Sequence, residues 1–146
     1  MATILISIKR FDTSLPLPAK HTKGAVAYDV YSRLQLTIKP QTVAYIPLNV
    51  ALQLPDDYWV MIAARSSLHK RGLWLANSIG VVDSDYSGNE DEYMAAVYNF
   101  THQDVVVQKG DRVAQLIIMP VIASALNEVD ELKKQNRGGF GTTGVQ

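Results

Sequence analysis

No cysteine occurs among the 146 residues of this chain. That excludes a disulfide framework, a thiolate metal site and a cysteine nucleophile. An excess of either charge is missing too, since 14 Lys and Arg balance 14 Asp and Glu. A binder of polyanions that relies on a basic surface, and hence a nucleic-acid partner, is not expected; a local phosphate site of a few arginines stays open. Long hydrophobic runs are absent, and none reaches membrane-spanning length. The opening residues, Met1-Ala2-Thr3-Ile4-Leu5-Ile6-Ser7, lack the basic flank and cleavage pattern of a secretory signal. A cytoplasmic location without a membrane partner is the resulting expectation. The histidines, His21, His69 and His102, lie too far apart for a zinc site and read as surface or structural groups.

Apolar residues make up 47% of the chain, enough for the core of one ordinary domain. They come in short stretches closed by Pro, Gly, Asn and Asp. Residues 4–10 and 34–38 alternate apolar and polar, the latter stopping at Lys39-Pro40. Residues 42–46 and 50–54 are closed by Pro47 and by Pro55-Asp56-Asp57. The continuous apolar run 58–63 is expected of a strand buried on both faces. Further strands are expected at 93–100, 104–108 and 113–121, the last after the turn Lys109-Gly110-Asp111. Strands this dense predict an all-β fold, a jelly-roll-like barrel or sandwich. Trp59 and Trp74 are expected in its core. One short helix is expected over Leu68-His69-Lys70-Arg71, capped by Ser66 or Ser67 and ended by Gly72. The β domain is expected to span 1–126, with a flexible arm over 127–146. That arm is polar and lysine-rich, then too glycine-rich to hold a fixed shape alone.

The densest chemistry lies in Gly80-Val81-Val82-Asp83-Ser84-Asp85-Tyr86-Ser87-Gly88, an apolar strand running into two carboxylates and a tyrosine. In an extended chain Asp83 and Asp85 share a face and Ser84 takes the other. Tyr86 stands where the Ser87-Gly88 turn would aim it into a cleft. A buried hairpin needs neither the first acid nor the aromatic, so the segment reads as a site. Arg65-Ser66-Ser67 is either a helix cap or an anion site made of backbone amides, two hydroxyls and a guanidinium. Arg112 and Gln115, three apart, would face opposite sides of a regular strand, which makes local ion pairing the expectation for at least one. Arg137 and Phe140 frame a glycine run, but no Lys-Ser/Thr follows, so this is not a P-loop. A merely flexible tail seldom carries an isolated phenylalanine between glycines. Asn89-Glu90-Asp91-Glu92 reads as a solvated hairpin tip rather than the border of a cation.

In order along the chain, these segments resemble the motifs of the trimeric dUTP pyrophosphatase (dUTPase) family. The first is Ala27-Tyr28-Asp29-Val30-Tyr31-Ser32, and the second Arg65-Ser66-Ser67-Leu68-His69-Lys70-Arg71-Gly72. The third spans 77–88, the fourth is Gly110-Asp111-Arg112-Val113-Ala114-Gln115-Leu116, and the fifth spans 137–144. The resemblance implies Mg²⁺-dependent hydrolysis of dUTP to dUMP and pyrophosphate. Such an activity limits uracil in DNA and supplies dUMP for dTMP synthesis. It implies a homotrimer with shared active sites. Asp83 would orient and deprotonate water, and Tyr86 would pack on the deoxyribose, leaving no room for a 2′-hydroxyl. Asn77, Val82 and the hairpin backbone would read uracil. Arg65, Ser66, Ser67 and Gln115 would hold phosphates, while Asp29 would support the Mg²⁺ end through water. Arg137, Phe140 and Gly141 would arrive on the arm of another subunit. Three features depart from the family pattern: Ala27 in place of glycine, Glu90-Asp91-Glu92 inserted after Gly88, and a shortened fifth motif. A deaminase acting on dCTP and a non-catalytic nucleotide-sensing module are the rival readings.

Overall fold

The computed structural model describes residues 3–140. The strands are β1 (Ser7–Arg10), β2 (Tyr28–Tyr31), β3 (Leu36–Ile38), β4 (Val43–Pro47), β5 (Val50–Gln53) and β6 (Tyr58–Ala64). A 3-10 turn over Leu68–Arg71 follows, then β7 (Leu73–Leu75), β8 (Gly80–Val82), β9 (Met94–Asn99), β10 (Val105–Val107) and β11 (Arg112–Pro120). The all-β jelly-roll-like architecture expected from the sequence is present. A four-stranded sheet in the order β2-β11-β6-β8 and a three-stranded sheet β4-β9-β7 are accompanied by the pairs β1-β5 and β3-β10. Every pairing is antiparallel. Among the described residues no helix is long and apolar enough to cross a membrane.

Both larger sheets contribute to one core. Val30, Val60, Ile62, Val113 and Leu116 come from the first, and Ile46, Leu73, Ala95 and Val97 from the second. Alternation along β9 explains its inward set, because successive side chains of a strand point to opposite faces. Full burial of each such aliphatic side chain contributes roughly 1.5–3 kcal/mol before chain entropy opposes it.

Several expectations are corrected. Two strands, β2 and β7, lie where the sequence pattern marked none, because each is too short to show a period. In β6 only Val60 and Ile62 are fully buried, so the run is covered on one face and half-covered on the other. Trp74 is 51% exposed on the outer face of β7, stacked on Tyr98 at 5.5 Å and Phe100 at 4.8 Å. Trp59 is half-buried rather than core. Ser67 occupies the cap position of the 3-10 turn without a side-chain cap hydrogen bond. Gly72 does end the turn, at φ +80°, a left-handed conformation that favours glycine. After β11 the Val121 N–H donates to the Asp57 carbonyl at 2.8 Å. Residues 122–140 have no helix or strand, and Ile122, Leu126 and Leu132 are each at least 86% exposed.

Candidate active site

The first half of the site is built by the connection between β8 and β9. Strand β8 pairs with β6, with Gly80 opposite Ile62. A Cβ on Gly80 would stand 2.9 Å from the Ile62 side chain, so only glycine fits there. Extended backbone ends at Val82. The Tyr86 N–H donates to the Asp83 carbonyl at 3.2 Å, closing a turn. The shared face expected for Asp83 and Asp85 therefore does not form. The turn instead brings Asp83 together with Tyr86. Both line a cavity of about 310 Å³ with Asn77, Val82, Tyr93 and Met94, while Asp85 does not. That volume is at the small end for a ligand pocket and suits a nucleoside-sized group.

The chemistry of this pocket is open. Asp83 is exposed, and among the described residues its carboxylate takes no hydrogen bond or ion pair. It is available to accept a proton from a water. Tyr86 is 43% exposed; its hydroxyl donates to the Glu92 carbonyl at 3.4 Å and its ring stands 6.2 Å from that of Tyr93. The Tyr93 hydroxyl is buried without a partner among the described residues, and burial pushes its pKa well up. Further along this connection the Gly88 N–H donates to Asp91 Oδ2 at 2.7 Å.

The acidic run is not a solvated tip throughout. Glu90 is, with its side chain 90% exposed and 3.7 Å from the Lys9 ammonium. Glu92 is buried, and Arg33 Nε and Nη2 donate to its two oxygens, each at 2.8 Å. Hydrophobic closure of the pocket carries Glu92 inward, and the guanidinium satisfies the charge that comes with it.

The second half is polar and lies on the outer side of the four-stranded sheet. Strand β11 carries a bulge between Arg112 and Ala114, which places Val113 and Ala114 both in the core. One extra residue reverses the alternation, so Arg112 and Gln115 share a face instead of opposing each other. Gln115 then stands opposite Asp29 of β2 and Ala63 of β6. Asp29 is buried at the centre of this cluster. Arg65 Nε donates to its Oδ1 at 3.1 Å and Arg112 Nη1 to its Oδ2 at 3.2 Å. His21 Nε2 lies 3.5 Å from the same Oδ2, which ties in a histidine that sequence spacing could not place. Gln115 Nε2 donates to the Ala64 carbonyl at 2.9 Å. Ser66 and Ser67 open the 3-10 turn beside Arg65, whose carbonyl accepts the Leu68 N–H at 3.0 Å.

None of Asp29, Arg65, Ser66, Ser67 or Gln115 lines the Asp83 pocket, so the two halves are separate within one chain. No described residue of the arm lines the Asp83 pocket, and Arg137 is exposed and Phe140 fully so. Gly141 lies outside the described residues. Among the described residues no group of three or more His, Asp or Glu side chains is arranged to hold a metal ion.

A β-sandwich carrying a nucleoside-sized pocket with a free carboxylate, and apart from it an arginine-rich anion site, is the make-up of a nucleotide hydrolase. Comparison with known proteins makes this particular. A dUTPase family model matches residues 13–144. The chain is 39% identical to the deoxyuridine 5′-triphosphate nucleotidohydrolase of Caldanaerobacter subterraneus, over 98% of this chain and 99% of that protein. It is 40% identical to the enzyme of the same name from Desulfitobacterium hafniense, over 97% and 96%. The dUTPase of Streptococcus mutans superposes with a TM-score of 0.74 at 30% identity, covering 81% of this chain and 98% of that one. The dUTPase of Staphylococcus bacteriophage 80alpha, solved with dUpNHpp, has a TM-score of 0.85 at 22% identity over 98% and 100%, a likeness of fold. The chain belongs to the dUTPase family. It is an enzyme of the dUTP diphosphatase class.

Proposed function

We propose that this chain hydrolyses dUTP to dUMP and pyrophosphate, as a Mg²⁺-dependent homotrimer in the cytoplasm that limits uracil in DNA and supplies dUMP. The observation that carries the reading is the single pocket holding Asn77, Val82, Asp83 and Tyr86. Asn77 and the hairpin backbone, with Val82, offer donors and acceptors to a uracil edge, and the Tyr86 ring packs against a sugar without a 2′-hydroxyl. Asp83 takes a proton from the water that attacks the α-phosphorus. The bond from that phosphorus to the bridging oxygen breaks, and pyrophosphate leaves with the electron pair. Arg65, Ser66, Ser67 and Gln115 hold the phosphate oxygens and offset the charge that develops.

Mg²⁺ suits this donor set. Asp29 is the carboxylate of the polar half, and its oxygens retain lone pairs beyond those given to Arg65 and Arg112. It fits a role through metal-bound water, with phosphates as the direct ligands, as Mg²⁺ prefers. When bound, the ion would neutralise phosphate charge.

Separation of the two halves supports shared sites. A pocket from one copy would face the Arg65 cluster of another, and Arg137, Phe140 and Gly141 would close over the nucleotide from an arm. The outer face of the four-stranded sheet supports a trimer as well, since Met61, Ile117 and Met119 are half-buried there and Val81 is 63% exposed. Apolar residues on an outer face mark an interface. The deaminase alternative is not favoured. It needs a free acid near C4 of cytosine, whereas Glu92 is held by Arg33 and Glu90 points to solvent beside Lys9.

Incubation with dUTP, dCTP, dTTP and UTP, with and without Mg²⁺, tests the reading. Pyrophosphate and dUMP should form from dUTP alone and only with the metal. Conversion of dCTP to dUTP would replace the reading with deamination, and an absence of product from any nucleotide with a sensing module. Light scattering after size exclusion should give three copies; a monomer at micromolar concentration would rule out shared sites.

A further inference from the structure

Glu92 lines the nucleoside pocket, but its carboxylate is committed elsewhere. Both oxygens accept from Arg33 at 2.8 Å, and Oε1 also accepts the Asn49 N–H at 3.0 Å. Each of these partners is itself fixed. The Arg33 N–H donates to the Pro47 carbonyl at 2.9 Å. Asn49 sits at φ +68° in the turn between β4 and β5, a strained conformation for a non-glycine residue. Its side chain accepts the Asp12 N–H at 2.7 Å and donates to the Asp12 carbonyl at 3.0 Å. The following residue is pinned too, since the Tyr93 N–H donates to Val50 at 2.8 Å and its carbonyl accepts from Leu48 at 2.9 Å.

What this rigid frame presents to the pocket is the Glu92 carbonyl, which accepts the Tyr86 hydroxyl at 3.4 Å. At that length a small displacement of the carbonyl breaks the bond. Apolar residues of similar volume often replace a buried ion pair without loss of stability. A fork-to-fork arginine–carboxylate pair fixes geometry as few other contacts do.

We infer that Arg33 and Glu92 are positioning residues for sugar discrimination: their clamp fixes the carbonyl that anchors the Tyr86 hydroxyl, and so holds the ring where a 2′-hydroxyl would collide. This rests on Tyr86 as the face that packs on the deoxyribose. Arg33 and the Glu92 carboxylate act through Tyr86 rather than on the reacting atoms. It also accounts for the Glu90-Asp91-Glu92 run, whose last member is the only one buried.

The test compares kcat/KM for dUTP and for UTP in the full chain and in variants of the clamp and of Tyr86. Arg33→Met with Glu92→Met removes both charges together, so that no buried charge is stranded. Circular dichroism and thermal melting confirm its fold; should it fail to fold, Arg33→Lys keeps the charge and loses the fork. Tyr86→Phe removes the hydroxyl and keeps the ring. A drop of about tenfold or more in the dUTP-to-UTP preference is expected for the clamp variant and for Tyr86→Phe alike. A general loss of stability would lower activity on both nucleotides and leave the ratio alone. If Tyr86→Phe lowers the ratio and the folded clamp variant does not, the clamp inference is wrong while the reading of Tyr86 survives. If neither changes the ratio, and Tyr86→Ala does not either, both are wrong.

Discussion

The nucleoside pocket and the arginine cluster treat their charged groups in opposite ways. In the pocket, Asp83 stands exposed with no protein partner among the described residues. In the cluster, Asp29 is buried and answered by Arg65, Arg112 and His21. A proton acceptor must be free to meet water, so an unpaired Asp83 carboxylate suits the proposed role. Two arginines side by side repel each other, and a buried carboxylate between them holds the pair in place before any phosphate arrives. On the proposed mechanism, the contrast separates a group that would react from groups that would be held ready.

The largest break in that contrast should come from Asp83→Asn. Folding and nucleotide binding should stay near parent values while kcat falls about a hundred- to ten-thousand-fold, the usual worth of general-base assistance. Single-turnover kinetics beside a thermal melt would check it, and near-parent turnover would remove Asp83 from its role.

Deleting residues 138–146 should come next. Phe140 is fully exposed among the described residues, so loss of the arm should spare the fold and lower kcat about ten- to a hundredfold through weaker closure. Unchanged kcat would mean an idle tail. A collapsed melting temperature would mean an arm that staples subunits together.

Asp29→Asn should act on stability where Asp83→Asn does not. It leaves Arg65 and Arg112 facing each other without their shared counter-charge. Breaking a fully buried pair costs about 3–5 kcal/mol. With the guanidiniums partly solvated, a loss of about 1–3 kcal/mol in urea unfolding is expected.

The smallest effect belongs to a carboxylate outside both halves. Lys109 donates to Asp12 Oδ2, and Ser14 donates to Oδ1 through its hydroxyl and its amide, holding the Asp12 pKa well below the ordinary aspartate range. A lowered folded-state pKa means stabilisation that is complete above the ordinary value of 3.8 and lost as pH falls below it. Asp12→Asn should therefore lower the melting temperature slightly near neutrality and flatten its acid limb, so that variant and parent converge as pH falls below 3.8.

Legibility in the sequence followed distance along the chain. Asn77, Val82, Asp83 and Tyr86 sit within one short segment, so a strand followed by a turn was enough to bring them together. Even there, the extended geometry expected of Asp83 and Asp85 gave way to a turn, because the connection after β8 must leave one sheet for the other. Arg112 and Gln115 were misassigned to opposite faces, since a bulge leaves no trace in a count of residues. Trp74 shows the same limit on another face: its size suggested the core, but alternation along β7 gave the inward places to Leu73 and Leu75.

Composition and the order of motifs determined the fold class, the exclusion of cysteine chemistry and the family, because these depend on local pattern and on which residues occur. Only the tertiary structure decided what each charge meets. Arg33 and Glu92 are 59 residues apart, and Asp29 and Arg112 are 83 apart. Such pairs form because closing the β-sandwich over its apolar core carries them together. Once buried, each charge must find a partner, and the register of the sheets selects which one.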